Sequence, residues 1–367
     1  MPPFLLIILT ATSFCLGENT SESESDDSSG DNSLLLRFLT YNLRFATTTP
    51  NPNEEFWPIR APLVLSQLHF ETMGRPESLL CFQEALAEQV IDLHQGLAED
   101  HWDYVGVGRD DGEWAGEFSP IFYRPSVWEL QKNDTYWLSE TPRVVGSIGW
   151  DAHLPRIVTV AKLQHRKRSS LNVVFACTHF ASNGGKKGES TGEQARQNSA
   201  RLLSTIADKW SENDKNLVVM AGDFNSQPGT VTYQTLSHNE YDVKSLVSPG
   251  HHHGNHFTYN GFGNPNHPLT LIDHIFVRDP EGLDFLSYSV PNNVYDDGIY
   301  SSDHCPVIVD IAVNDPGRMK YIPPSSSSSA PPRNEEKEAM LLRRAGRVSS
   351  SAVAASPTES HQQSTTT

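Results

Sequence analysis

Six short polar constellations interrupt an otherwise apolar series of segments: Asn42; Gln83 and Glu84; Thr178 and His179; Asp223 and Asn225 around Phe224; Asp273 and His274; and Asp303 and His304 after Ser302. The chemistry that needs this set is phosphoester hydrolysis assisted by a hard divalent cation. Mg²⁺ takes oxygen ligands and keeps several waters, so Glu84, Asp303 and the amide oxygen of Asn42 suffice to hold it. The cation polarises a phosphoryl oxygen and neutralises developing charge. An attacking water needs a base, and a histidine held by a carboxylate, His304 with Asp273, has the required tautomer control. His179 can then donate to a non-bridging phosphate oxygen, while Asp223 and Asn225 position the nucleophile or leaving group. No serine or cysteine nucleophile is needed.

Each group also has a plainer reading. Asn42 and Glu84 suit turn or cap positions, Asp223 and Asn225 suit a turn, and His179 suits a satisfied histidine at the edge of a core. Asp273 resists such a reading, because an ionised carboxylate within an apolar strand is costly unless paired. A histidine is its natural partner.

The elements that must position these groups are short β-branched or aliphatic runs. Strands are expected over residues 35–41, 79–82, 120–123, 157–163, 171–177, 217–221, 271–277 and 306–313. Four of them end in one of the polar constellations, and strand ends are where sites are assembled in open α/β architectures. Helices are expected over residues 58–69, with proline in the first turn, and over 86–97 and 192–210. Strands outnumber helices without strict alternation, so two packed sheets covered by outer helices fit better than one doubly wound sheet.

Composition sets the boundaries. Of 367 residues, an apolar run of 13 (residues 4–16) is too short for a membrane span and reads as a secretory signal peptide over residues 1–17. Residues 18–32 carry six carboxylates and no cation, and residues 323–367 are rich in serine and proline; both are expected to be disordered. One domain is expected over residues 33–322. Taking the leader's six charges and the tail's one surplus cation out of the net −17 leaves −12 for that domain. Such an excess disfavours a nucleic-acid partner, since polyanion binders present basic faces.

In chain order, Thr40-Tyr41-Asn42-Leu43, Gln83-Glu84, Thr178-His179-Phe180, Gly222-Asp223-Phe224-Asn225, Ile272-Asp273-His274-Ile275-Phe276 and Ser302-Asp303-His304-Cys305-Pro306-Val307 resemble the motifs of the endonuclease/exonuclease/phosphatase (DNase I-like) superfamily. The resemblance spans about residues 35 to 312. It implies a four-layer α/β sandwich of two mixed sheets flanked by helices. It also implies that Asn42 and Glu84 bind Mg²⁺ or Mn²⁺, that Asp303 binds it or orients its neighbour, and that Asp273 supports His304 as general base. His179 would stabilise the phosphoryl transition state, with Asp223 and Asn225 orienting water and substrate. Abasic-site endonucleases carry an acid where this chain has Arg44, and they lack the histidine present here as His179. That argues against a repair role.

The segments Trp57-Pro58-Ile59-Arg60, Val107-Gly108-Arg109-Asp110-Asp111-Gly112 and Leu154-Pro155-Arg156 resemble a subgroup of small secreted bacterial and fungal members. From them and their surroundings Arg44, Arg109, Asp111 and Tyr123 are the expected substrate contacts, although Asp111 also fits a turn and Tyr123 a core. His251, His252, His253 and His256 invite zinc, but without a suitable acidic or cysteine ligand they read as a solvated loop near the site. Lys186 and Lys187 are candidate phosphate contacts or ordinary surface lysines. Cys81, Cys177 and Cys305 are expected as buried thiols, and Asn19 and Asn133 stand in glycosylation sequons. The expected protein is a secreted, monomeric, metal-dependent hydrolase of a small or lipid-linked phosphoester. The alternatives are a nuclease and a catalytically dead binding module.

Overall fold

The computed structural model describes residues 33–183, 191–213 and 215–314. The expected signal peptide, acidic leader and tail, the Asn19 sequon, and Lys186 and Lys187 lie outside these residues. In chain order the strands are β1 (Leu34–Asn42), β2 (Leu79–Gln83), β3 (Asp103–Val105), β4 (Ile121–Tyr123), β5 (Trp128–Trp137), β6 (Ile157–His165), β7 (Asn172–His179), β8 (Leu217–Asp223), β9 (Tyr241–Asp242), β10 (His252–Gly254), β11 (Asp273–Val277), β12 (Leu283–Val290) and β13 (Val307–Val313). The α-helices are α1 (Trp57–Thr72), α2 (Ala87–Gly96), α3 (Glu193–Ser211), α4 (Val231–Asn239) and the single turn α5 (Val243–Leu246).

One sheet has seven strands in the order β10-β12-β13-β1-β2-β4-β3, and the other has six in the order β5-β6-β7-β8-β11-β9. Each is mixed, with one central parallel pair beside the site: β1 with β2, and β7 with β8. Side-chain alternation assigns the faces. Leu36 and Phe38 of β1 and Phe175 and Val219 of the second sheet meet between the sheets. The intervening Leu39 and Tyr41 pack outward on α1 and α2 through Val64, Leu68, Val90 and Leu93. On the other side Val174, Ala176, Val218 and Met220 receive Leu203, Ile206 and Trp210 of α3 and Leu236 of α4. The result is the expected helix, sheet, sheet, helix sandwich.

Three elements depart from the simple patterns. In β5 the run Gln131-Lys132-Asn133-Asp134 reads as a loop, yet it is an edge strand open to water, and its register shifts between Leu130 and Lys132. β12 carries a similar shift between Phe285 and Ser287. Helix α4 is built of weak helix formers, Val-Thr-Tyr-Gln-Thr, and starts on a Thr230 side chain that accepts the Tyr233 N–H.

The cysteine expectation is corrected. Cys81 of β2 and Cys177 of β7 form a disulfide between the two sheets, and only Cys305 is a buried thiol. Both half-cystines occupy inward-facing positions on facing strands, with Cα atoms 5.4 Å apart, which is bridging distance. A sequence separation of 96 residues gives no hint of this juxtaposition. Among the described residues, no helix is long and apolar enough to cross a membrane.

Candidate active site

The cleft opens where the inter-sheet core runs out. On β1 the inward series Leu36, Phe38, Thr40 ends at Asn42; on β7 Phe175 and Cys177 lead to His179; on β8 Val219 and Ala221 lead to Asp223; and β11 begins at Asp273 before Ile275 and Val277. The last inward position of each strand, too far out to be covered by the facing sheet, is polar. Gln83 closes the core beneath, donating to Thr40 Oγ1 at 3.1 Å. At Gly222 the backbone has φ +151°, and a Cβ there would collide with the carbonyl of Thr178, its partner across the parallel pair. Glycine thus lets β7 and β8 approach closely where His179 and Asp223 stand side by side.

His304 Nδ1 lies 2.8 Å from Asp273 Oδ2, and its Nε2 lies 3.7 Å from Asp223 Oδ2. Asp223 and Asp273 are directly opposed across the antiparallel pair β8–β11. Burial and the Asp273 charge push the Asp223 carboxyl up to about 7. Burial would depress His304, but Asp273, Asp223 and Asp303 outweigh it and raise the imidazole to about 10. In the cation-free protein this histidine is therefore an imidazolium at neutral pH.

His179 is the opposite case. Burial, with Arg156, Arg109 and His304 nearby, holds its imidazole well below the ordinary range. His179 Nε2 lies 3.1 Å from Asn225 Nδ2 and 3.4 Å from Asp223 Oδ2, while Nδ1 faces Glu117 Oε2 at 3.8 Å. Glu117 is in turn gripped by Arg109 Nη1 at 2.6 Å. Beside them Arg156 lines the cleft with a buried Nη1 that has no hydrogen-bond partner.

The donor set fits a hard divalent cation. Burial, reinforced by Glu84, raises Asp303; Asp273 Oδ1 is buried without a hydrogen bond, and Asp223 is held up beside it. This is an excess of buried carboxylate oxygen that asks for positive charge. Glu84 behaves differently: burial pushes it up, but Arg44, His304 and the Asn42 amide prevail and lower it, leaving it an anionic donor. Its backbone is left-handed (φ 59°), a conformation that the β2–α2 turn imposes. Asn42 donates from Nδ2 to Glu84 Oε1 and Asp223 Oδ2, both at 3.1 Å, and accepts the Arg44 N–H on Oδ1. In this cation-free arrangement it orients the two carboxylates. The tightest donor group among the described residues is Asp223, Asp273 and His304, within 4.8 Å of one another.

The profile of the Endonuclease/Exonuclease/phosphatase family matches residues 39–304. The chain belongs to that family. Its activity is accordingly metal-dependent hydrolysis of a phosphoester. The fold is similar to an endonuclease/exonuclease/phosphatase from Bacteroides vulgatus, with 31% identity and a TM-score of 0.64 over 76% of this chain and 98% of that one. It is also similar to a mannosyl-6-phosphatase of Bacteroides thetaiotaomicron, with 27% identity and a TM-score of 0.64 over 75% and 99% of the two chains. The catalytic domain of human Nocturnin, at 16% identity, TM-score 0.56 and coverage of 76% and 94%, shares the fold. No curated protein matches the chain.

Within this family member the cleft of ≈ 640 Å³ brings together Glu84, Asp303, His304, Asp223, Asn225, His179 and Arg44, while Asn42 and Asp273 lie directly beneath. Arg44 sits 3.0 Å from Glu54 and 3.8 Å from Glu84, a resident counter-charge. Three expected substrate contacts fall elsewhere. Tyr123 packs in the inter-sheet core, because its odd position on β4 faces inward. Asp111 is exposed and holds a turn, accepting the N–H groups of Glu113 and Ala115. Arg109 is buried behind the cleft wall and acts on it through Glu117. The histidines 251–253 are not in a loop at the site; they belong to a short helical turn and β10 at a sheet edge, bonded to Leu286 O and Val247 O.

Glu117 and Arg156 stand in or beside segments singled out by their resemblance to the secreted subgroup, without a role given to either residue; Tyr259 was missed as a cleft residue, and Arg60 as a support of the site. Arg60 is fully buried and donates to the carbonyls of Leu43, Arg44 and Ser301. It thereby ties the Asn42 turn to the segment that carries Asp303. A charged residue three places into an otherwise half-apolar helix was the available signal.

Proposed function

We propose that this protein is a secreted phosphoesterase acting on a small phosphoester, a sugar phosphate being the best-supported class. The observation that carries the reading is the convergence, over buried carboxylates, of the His304–Asp273 pair and the Arg156 guanidinium, whose Nη1 is buried without a hydrogen bond, on one cleft. Its volume suits a small molecule. Among the described residues its cations gather at the reaction centre as Arg44 and Arg156, while Arg196 is spent on Glu193 and the carbonyls of Ala181 and Thr191. A nucleic-acid strand needs cations along a track instead. The mannosyl-6-phosphatase likeness points the same way.

Glu84 and Asp303 would hold Mg²⁺ or Mn²⁺, with Asn42 fixing the Glu84 carboxylate. The cation, when bound, supplies charge neutralisation at the phosphoryl oxygen. His304, oriented by Asp273, takes the proton of the attacking water, while Asn225 and Asp223 fix that water and the leaving group. Neutral His179 and Arg156 donate to the phosphoryl oxygens that gain charge. A second reading has one specific support: Asp223, poised at about 7, is better matched to base catalysis at neutral pH than an imidazole at about 10. Secretion is supported by the Cys81–Cys177 disulfide, a bond at home in oxidising compartments, and by the apolar run at residues 4–16.

The test is a substrate panel with Mg²⁺ or chelator: sugar phosphates, an aryl phosphodiester, an amphiphilic phosphoester, poly(A) and plasmid DNA. Faster cleavage of poly(A) or plasmid than of every small ester would overturn the small-substrate reading. A pH–rate profile that loses its acid limb in Asp223→Asn but keeps it in His304→Gln would move the base to Asp223. For secretion, the chain should be recovered from culture medium with its first 17 residues removed; retention in the cell would defeat that part.

A further inference from the structure

We propose that Tyr259 is a positioning residue for His304, held by a three-residue clasp, residues 258–260, that fixes both members of the His304–Asp273 pair. The proposal rests on the reading of His304 as a group that acts on substrate, and on contacts that neither sequence motif contains.

The clasp grips the two arms of the pair separately. Thr258 Oγ1 accepts the N–H groups of Ile272 and Asp273, both at 3.1 Å, and so sets the start of β11. Its carbonyl accepts the Cys305 N–H at 2.6 Å, while the N–H groups of Asn260 and Gly261 both reach Asp303 O, at 2.9 and 3.2 Å. Tyr259 itself forms isolated bridges to His304 on one side and Thr270 on the other. A single stretch of backbone therefore spans from the carboxylate's strand to the imidazole's segment. Asn293 supports the same segment from beneath, donating to the carbonyls of Ser302 and His304.

On this frame the Tyr259 ring stands against the imidazole, with centroids 5.0 Å apart and planes at 63°. This edge-on geometry is a favourable aromatic contact. An imidazole anchored only through Nδ1 retains rotation about its outer bonds, and an aromatic wall against the ring narrows that rotation. The backbone bridges on either side fix the wall; Tyr259 Oη, 2.7 Å from His267 Nδ1, also draws the residue 264–268 turn against the cleft mouth. Tyr259 and Pro268 both line the cleft. Burial pushes the phenol up to about 12, so it keeps its proton and stays a neutral hydroxyl.

The test compares Tyr259→Phe, Tyr259→Leu and His304→Ala in the full chain, with kcat and KM for the best small substrate and with the low-field proton resonance of the His304 Nδ1–H···Asp273 bond in cation-free protein. Phe keeps the wall, so both the resonance and kcat should stay within about twofold of wild type. Leu keeps apolar volume without the aromatic edge; kcat should fall roughly 10- to 100-fold at nearly unchanged KM, the scale of a misplaced catalytic group, and the resonance should broaden or vanish. A Leu variant with the wild-type resonance and kcat overturns the proposal, as does one whose loss lies in KM. If Leu fails to fold, a Phe variant with lost activity and resonance at wild-type melting temperature overturns it equally. Wild-type activity in His304→Ala would instead remove the reading beneath it.

Discussion

The two sheets deliver their functional groups by the same device and leave their two histidines in opposite electrostatic states. In each, a central parallel pair, β1 with β2 or β7 with β8, carries its last inward side chains past the apolar core into the cleft. The first sheet's bank is anionic, with Glu84 and Asp303 over Asn42 and Arg44 as the local counter-charge. On the second bank Asp223 and Asp273 stand opposed at the cleft ends of β8 and β11, and His179 beside them has Arg156, Arg109 and Glu117 as further neighbours. The difference falls on the histidines. His304, carried on the first sheet, is raised to about 10 chiefly by Asp273 and Asp223 reaching across from the second, whereas His179, with arginines nearby, is held well below its ordinary value. One fold thus presents an imidazolium and a neutral imidazole across the same cleft, and the cation that offsets the carboxylates acts on the first and hardly on the second.

The contrast breaks first at His304. Replacing it with Ala should lower kcat by about 10²- to 10⁴-fold, the usual range for a general acid or base; a loss under threefold in steady-state kinetics would assign the proton transfer elsewhere. Next comes the bond that joins the banks. Cys81→Ala combined with Cys177→Ala should cost about 2–5 kcal/mol in denaturant unfolding, because the bridge closes a long loop, and an unchanged midpoint would show that the thiols are not paired in solution.

Smaller effects should sort by bank. Glu84→Gln should raise the half-saturating Mg²⁺ concentration by roughly tenfold or more, as lost metal-site partners do, whereas Arg156→Gln should lower kcat by about tenfold through one charge-assisted contact to the phosphoryl oxygens and leave the Mg²⁺ requirement alone. The reverse pattern in a metal titration would interchange the two assignments. The pH dependence of melting in cation-free protein should carry two opposite slopes. His304, raised in the fold, contributes stability fully present below the unfolded value of about 6.5 and lost as pH climbs to about 10; raised Asp223 loses its own contribution earlier, through about 7. His179, lowered in the fold, works the other way: its contribution is lost as pH falls below about 6.5, where the unfolded chain takes up a proton. His304→Asn should flatten the alkaline limb and His179→Asn the acid limb near pH 6. The smallest effect belongs to Tyr123→Phe: a core tyrosine remote from both banks should leave kcat/KM within about twofold.

Much of the fold was legible because inward apolar positions repeat every second residue, and both sheets are buried on both faces. The strands that escaped notice are those where that rule weakens, the open edge β5 and the bulged β12, or where a strand of two or three residues is too short to show it, β3, β9 and β10. The site was legible for a related reason. A polar residue as the last inward member of an apolar run, as Asn42, His179 and Asp223 are, has no structural excuse, and the run announces it. Glu117 and Arg156 had no run to announce them, being set in irregular loops. Arg109, Asp111 and Tyr123 were misjudged because sequence neighbourhood does not tell which way a loop or a three-residue strand faces.

By itself, then, the order of residues determined the family, the layered sandwich and the list of groups able to hydrolyse a phosphoester, since these depend on local periodicity and on residue type. Tertiary structure alone decided what state those groups are in. The opposed carboxylates of Asp223 and Asp273, the split between two histidines, the buried Arg156 Nη1 and the Cys81–Cys177 bond all arise from contacts between segments tens to hundreds of residues apart. Charge interaction and covalent pairing depend on distance in space, and no local pattern encodes it.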